Sequence, residues 1–164
     1  MQKTSILVYG YGNPGRRDDG LGPELINLVE DWIKENNLGY VFTDSNYQLN
    51  IEDASTINDY DIVIFVDATI EQIRDFSMVR VVPSDKVNFT MHAMDPSFVV
   101  DLCQKLYDRT PEAFLLKIRG YEYELQEGIT EEAERNLLKA FTHIKKILLH
   151  PERFPVLNGS EITE

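Results

Sequence analysis

The stretch Gly10-Tyr11-Gly12-Asn13-Pro14-Gly15-Arg16-Arg17-Asp18-Asp19-Gly20-Leu21-Gly22 stands between the apolar run Ile6-Leu7-Val8-Tyr9 and the amphipathic run Leu25 to Ile33. That order reads as strand, glycine-rich turn, helix. Gly10-x-Gly12-x-x-Gly15 matches the dinucleotide fingerprint, in which glycines let the backbone approach a pyrophosphate at a helix N-terminus. The residues that follow argue against a nucleotide. Asp18 and Asp19 set two carboxylates where a phosphate would sit, and like charges at that range repel. An acidic pair at such a turn suits a cation, a proton or a positively charged partner.

Working outward, the same alternation continues. The first helix is expected to begin near Gly22-Pro23, proline being favoured in the first helical turn. Leu25, Ile26, Leu28, Val29, Trp32 and Ile33 give it an inward stripe at helical spacing. Tyr40 to Thr43 begins a second strand, while Asp44 to Gln48 carries no clear pattern and Asn50 to Asp59 has room for one helical turn. Asp61 to Ala68 holds five consecutive apolar residues, the signature of a strand buried on both faces, and closes on Asp67. Phe76 to Val82 is a fourth strand. Asp95-Pro96 reads as N-cap and first residue of a helix whose buried stripe is Phe98, Val99, Leu102, Cys103 and Leu106. Ala113 to Arg119 is a fifth strand, and Thr130 caps a last helix reaching Leu149. Strands alternating with helices predict an α/β fold, a three-layer sandwich with a mostly parallel central sheet of about five strands. This single domain is expected over residues 1–149, with 150–164 as a mobile tail that shows no periodicity.

Composition narrows the function. The chain has 164 residues, 43% of them hydrophobic, which is one globular domain. Sixteen basic residues against 28 acidic ones give a formal net charge of −12. Such a chain is a poor ligand for nucleic acid, whose affinity comes from neutralised phosphates, and attracts cations and basic segments instead. A single cysteine, Cys103, excludes an internal disulfide and fits a reducing compartment. The first residues read straight into a strand and not as a signal peptide, and no apolar run approaches the roughly 20 residues that span a bilayer. A cytoplasmic monomer without membrane contact is expected.

Open α/β sheets place their sites outside the carboxyl ends of the strands. Three polar groups fall on that rim: Asp19 after the first strand, Asp67 ending the third and His92 after the fourth. Two carboxylates and an imidazole are a partial donor set for a borderline metal such as zinc or nickel, leaving positions open for water or for a partner's ligands. Each residue also has a plainer reading. Asp18 or Asp19 could cap the first helix, Asp67 could bond loop amides, and a lone His92 beside a helix start could be structural. Their shared place on one rim favours a site, with Asp18 pointing away from it or capping a helix. Cys103 reads as a small core residue, and His143 and His150 as surface residues. Arg16 and Arg17 are either solvated or partners of Asp18.

Gly12-Asn13-Pro14, Arg16 and Asp18-Asp19-Gly20-Leu21-Gly22 together resemble the N-terminal signature of the hydrogenase maturation endopeptidases, and the resemblance extends from about Ile6 to Leu149. That family removes the C-terminal extension of the large subunit of nickel–iron hydrogenases. The resemblance implies that Asp19, Asp67 and His92 are the metal-binding and catalytic set. It implies that the partner is the immature large subunit, and that nickel arrives already bound in that substrate. On this reading the isolated protein holds nickel weakly. Two positions depart from the family pattern: Arg17 replaces a small residue, and Tyr121-Glu122 follows Gly120 where a polar residue and proline are usual. The chain has no His-Glu-x-x-His motif, no Gly-x-Ser-x-Gly elbow and no evident nucleophile, so cleavage would use an activated water. Two other readings compete: a non-catalytic, nickel-dependent module that checks hydrogenase loading, and a dinucleotide-binding enzyme resting on Gly10, Gly12 and Gly15.

Overall fold

β1, Ile6–Tyr11, is buried at all six positions and alternates its side chains between two cores. Ile6 and Val8 join one cluster, and Leu7, Tyr9 and Tyr11 join the other. A strand with no polar face needs helices on both sides, which fixes a three-layer arrangement. The computed structural model describes residues 4–86, 94–157 and 162–163. His92 lies outside the described residues.

β1 is followed by a 3-10 turn, Arg17–Gly20, and α1, Leu21–Asn36. The turn runs directly into the helix, so α1 starts ahead of Pro23. Asn37 closes it in the left-handed conformation, its amide donating to the Ile33 carbonyl. β2, Val41–Asn46, extends past the expected Thr43. Then come α2 (Asp53–Ile57), β3 (Ile62–Thr69), β4 (Phe76–Arg80), α3 (Pro96–Tyr107), β5 (Glu112–Arg119), α4 (Glu131–Leu149) and the two-residue β6 (Ile162–Thr163). Asp95 caps α3 by accepting from the Ser97 amide at 3.2 Å, and Thr130 caps α4 by accepting from Ala133 at 3.2 Å.

The strand order is β2-β1-β3-β5-β4-β6. β2, β1, β3 and β5 run parallel, and β4 is antiparallel to β5. α1 packs on α4 on one face, and α2 on α3 on the other. The α/β sandwich with a mostly parallel sheet is therefore the fold. The segment read as a tail from residue 150 is different in the described part. Pro151–Leu157 form a 3-10 helix, Phe154 is fully buried in the α1–α4 core against Phe114, and β6 adds to β4. Phe154 stands in a short segment broken by Pro151 and Pro155, too short to show a helical period, which is why its burial leaves no pattern in the sequence. Among the described residues no helix is long and apolar enough to cross a membrane.

Candidate functional site

The turn after β1 is built around a carboxylate. Asp19 accepts a hydrogen bond from the Asn13 amide at 2.8 Å, and Asn13 in turn accepts from the Gly15 amide at 2.9 Å. The Arg16 amide donates to the Asn13 carbonyl at 3.0 Å, and the Asp19 amide to the Arg16 carbonyl at 3.1 Å. These bonds fold the chain back so that the Asp19 backbone lies on Gly12. Gly12 has φ of 143°, and a Cβ there would overlap the Asp19 carbonyl oxygen. Only glycine allows this turn. Just behind it α1 presses on the sheet at Gly22, where a Cβ would fall 2.5 Å from the Tyr11 carbonyl oxygen and 2.7 Å from that of Val66. Of the glycines that resembled a nucleotide fingerprint, Gly12 serves a tight turn and Gly10, where a Cβ would fall 2.4 Å from the Gly22 carbonyl oxygen, close helix–sheet packing.

Asp67 stands near the carboxyl end of β3, one residue beyond Val66, which is in register with Gly10 of β1. The Tyr11 phenol and the Ala68 amide hydrogen-bond its carboxylate. Burial pushes the Asp67 carboxyl up, the neighbouring Asp19 charge adds to that, and the two bonds offset only part of it, leaving a pKa of about 7. Tyr11 is itself buried, and burial together with Asp67 and Asp95 pushes its phenol well above the ordinary range. Tyr123 lies close by, its hydroxyl donating to the Thr69 carbonyl at 3.1 Å. Burial and the charges of Asp18, Asp19 and Asp67 raise its pKa to about 12. The site is therefore an acidic pair edged by two phenols, short of positive charge.

Asp18 turns away. Its side chain is inaccessible to solvent and accepts from the Tyr121 amide at 2.7 Å, the Glu122 amide at 3.0 Å, the Thr130 amide at 2.7 Å and the Thr130 hydroxyl at 2.9 Å. Burial alone would push this carboxyl up, and the four bonds overcome that and hold it below the usual carboxylate range. Asp18 clamps the segment after β5, together with the cap of α4, onto the turn that carries Asp19. Arg17 faces the same segment. Its amide donates to the Gln126 carbonyl at 2.8 Å and its guanidinium pairs with Glu122 at 3.4 Å, so its partner is not Asp18.

Asp19, in the 3-10 turn after β1, and Asp67, near the end of β3, lie close enough for the Asp19 charge to raise the Asp67 carboxyl, while His92 lies outside the described residues. Among the described residues no group of three histidine, cysteine, aspartate or glutamate side chains is placed to hold a metal. A cleft of about 240 Å³ opens beside the turn, lined by Gly12, Pro14, Pro23, Ser45, Asn46 and Tyr47. Tyr11 escapes sequence reasoning because a tyrosine ending a buried strand reads as core, and Tyr123 because the loop after β5 that carries it has no periodicity. Register would have pointed to Tyr11, since it lies level with Asp67 once β1 and β3 are aligned.

No family model matches the chain, and no curated protein is significantly similar to it in sequence. Solved structures share its fold. A NiFe hydrogenase maturation protease HycI from Thermococcus kodakarensis KOD1 superposes with a TM-score of 0.70 at 19% identity, covering 90% of this chain and 94% of that one. The hydrogenase maturating endopeptidase HybD from E. coli gives 0.66 at 18%, covering 90% and 93%. A hydrogenase 2 maturation peptidase from a Thaumarchaeota archaeon gives 0.63 at 20%, covering 88% and 97%. At these identities what is shared is the fold, over nearly the full length of each chain.

Proposed function

We propose that this chain is an endopeptidase that removes the C-terminal extension from the large-subunit precursor of a nickel–iron hydrogenase once nickel is loaded. The observation that carries the reading is the Asp19–Asp67 pair, set at the strand ends of a fold shared with proteins named as hydrogenase maturation proteases. The nickel belongs to the substrate. Asp19 and Asp67, with His92 as the third donor, meet the ion that the precursor presents and so place the adjoining peptide bond against the rim. Oxygen and imidazole donors without a thiolate hold such an ion weakly, which suits a site that must release its product. Water is the attacking group. A carboxylate of the pair takes up the proton that this water loses.

The same charges supply the checkpoint. The net charge of −12 and the paired carboxylates make the empty rim negative. An unloaded precursor offers only neutral thiols against that field, whereas a loaded one brings a cation with open positions. Discrimination then lies in binding and amounts to about 2–5 kcal/mol, the usual cost of leaving a desolvated charge without its partner. The test compares processing of unloaded and nickel-loaded precursor at equal concentration, by the unaltered protein and by His92→Ala. Cleavage of the loaded precursor alone, lost in His92→Ala, is expected. Equal cleavage of both precursors would remove nickel as the signal, and tight binding without cleavage would favour a loading checkpoint that is not an enzyme.

A further inference from the structure

The two edges of the sheet are finished differently. At one, β6 adds antiparallel to β4. At the other, β2 pairs with β1, and among the described residues no strand lies beyond it. The hydrogen bonds at its ends fix how β2 is turned. The Ile6 amide donates to the Tyr40 carbonyl and the Gly12 amide to the Asn46 carbonyl, so the even-numbered residues direct their backbone groups at β1. By alternation Thr43 and Ser45 direct theirs outward. The Asp44 side chain bonds the Ser45 amide at 2.8 Å and the Asn46 side chain bonds the Tyr47 amide at 2.9 Å. Neither group of Thr43, nor the Ser45 carbonyl, has a partner among the described residues. An edge of this kind is a template for another strand, and proteins ordinarily cover it or blunt it with proline or lysine. Here Phe42, Asp44, Ser45 and Asn46 are all exposed, with neither lysine nor proline. The ribbon climbs to the rim and ends in the cleft that Ser45, Asn46 and Tyr47 share with Gly12, the residue on which Asp19 packs.

We infer that the free edge of β2 takes an extended peptide as an added antiparallel strand, and that this peptide is the segment of the substrate following the scissile bond. The inference rests on the processing function proposed above and adds to it the surface that reads the extension. Direction follows from the layout. The metal-bearing body of the substrate must lie over the rim at Asp19 and Asp67. The segment after the bond leads away from that rim, against the direction of β2. Main-chain bonds to both groups of Thr43 and to the Ser45 carbonyl supply affinity for an extended chain of almost any sequence. The cleft at Asn46 and Tyr47 accepts one or two of its side chains.

The test measures backbone amide exchange and processing together, with nickel-loaded precursor as the probe and the mature large subunit, which lacks the extension, as its control. The Thr43 amide is expected to exchange more slowly with the precursor and not with the mature subunit. Thr43→Pro removes an outward amide and leaves the ladder to β1 intact, so the fold survives. It should weaken precursor binding about tenfold, the scale of one backbone hydrogen bond with its local geometry, while Thr43→Ala, which keeps the amide, changes it little. If Thr43→Pro melts early, the exchange of the unaltered protein decides alone. Cleavage without protection at Thr43 overturns the edge and leaves the processing function standing. Protection without cleavage leaves the edge standing and overturns the processing function, and absence of both overturns both.

Discussion

Asp18 and Asp19 are chemically identical neighbours whose surroundings give them opposite tasks. Asp18 accepts four bonds from Tyr121, Glu122 and Thr130 and its carboxyl is held low, so its stabilising effect is present above the ordinary carboxylate pKa and is lost as pH falls through the lowered folded value. Asp18→Asn puts an amide donor against these donors. It should cost about 2–4 kcal/mol and lower the melting temperature by about 5–15 °C. Asp19→Asn should melt close to the unaltered protein and fail in processing. Melting curves and a cleavage assay on both variants decide this, and a stable Asp18→Asn would refute the clamp. For Asp67 the sign reverses. Its folded pKa of about 7 lies above the unfolded value, so the folded state holds the proton more tightly and stability declines as pH rises from about 4 to 7. Asp67→Asn should therefore be more stable than the unaltered protein at pH 8, by up to about 4 kcal/mol, with the difference vanishing towards pH 4. Denaturant titrations at pH 4, 6 and 8 measure it, and a difference independent of pH would remove Asp67 as the origin. A buried carboxyl whose ionisation opposes folding marks a candidate site.

At the scale of elements, what the sequence made legible depends on burial. β1 and β3 announce themselves because both faces are covered over the apolar runs at residues 6–9 and 62–66, and the caps Asp95 and Thr130 because their chemistry is local. β2 could be followed only to Thr43, since the exposed edge that continues to Asn46 needs no apolar alternation. The antiparallel placement of β4 depends on partners distant in sequence. The rim position of Asp19 and Asp67 followed from strand ends alone. The clamp of Asp18 on residues 121–130 did not, because that segment has no periodicity to locate it. The glycine stretch was legible as a turn but not as a packing surface, and that difference can be measured. Gly22→Ala would push α1 off β1 and β3 at the Tyr11 and Val66 carbonyls, which are backbone and cannot swing aside. A loss of about 1–3 kcal/mol or more is expected, with processing impaired because the turn holding Asp19 moves with the helix. Gly39→Ala, where nothing lies within 4 Å of the added methyl, should stay within about 0.5 kcal/mol. Equal melting of the two variants would mean that the close approach is not structurally required.

Taken as a whole, the molecule covers one edge of its sheet with the short strand Ile162–Thr163, and among the described residues no strand lies beyond the other. The closing segment reaches further into the structure than its composition suggests. Phe154, carried by the 3-10 helix Pro151–Leu157, is fully buried with its ring centroid 5.3 Å from that of Phe114, the β5 residue level with Ile64. α4 ends just before this segment, so Leu148 and Phe154 cover the base of the same core. Removing the aromatic ring leaves a cavity that a short helix can fill only in part. Phe154→Ala is therefore expected to cost about 3–5 kcal/mol, as large aromatic truncations in cores do. Ending the chain after Leu149 should cost at least as much, because it exposes the same apolar surface and also frees the edge of β4. Chemical denaturation of the three proteins measures this. Adding a chelator to any of them should leave its midpoint unchanged, since the apolar layers and not an ion hold the sheet together. Truncation that leaves the midpoint where it was would show that residues 150–164 contribute nothing to the core. It would restore them to the role of a detachable tail.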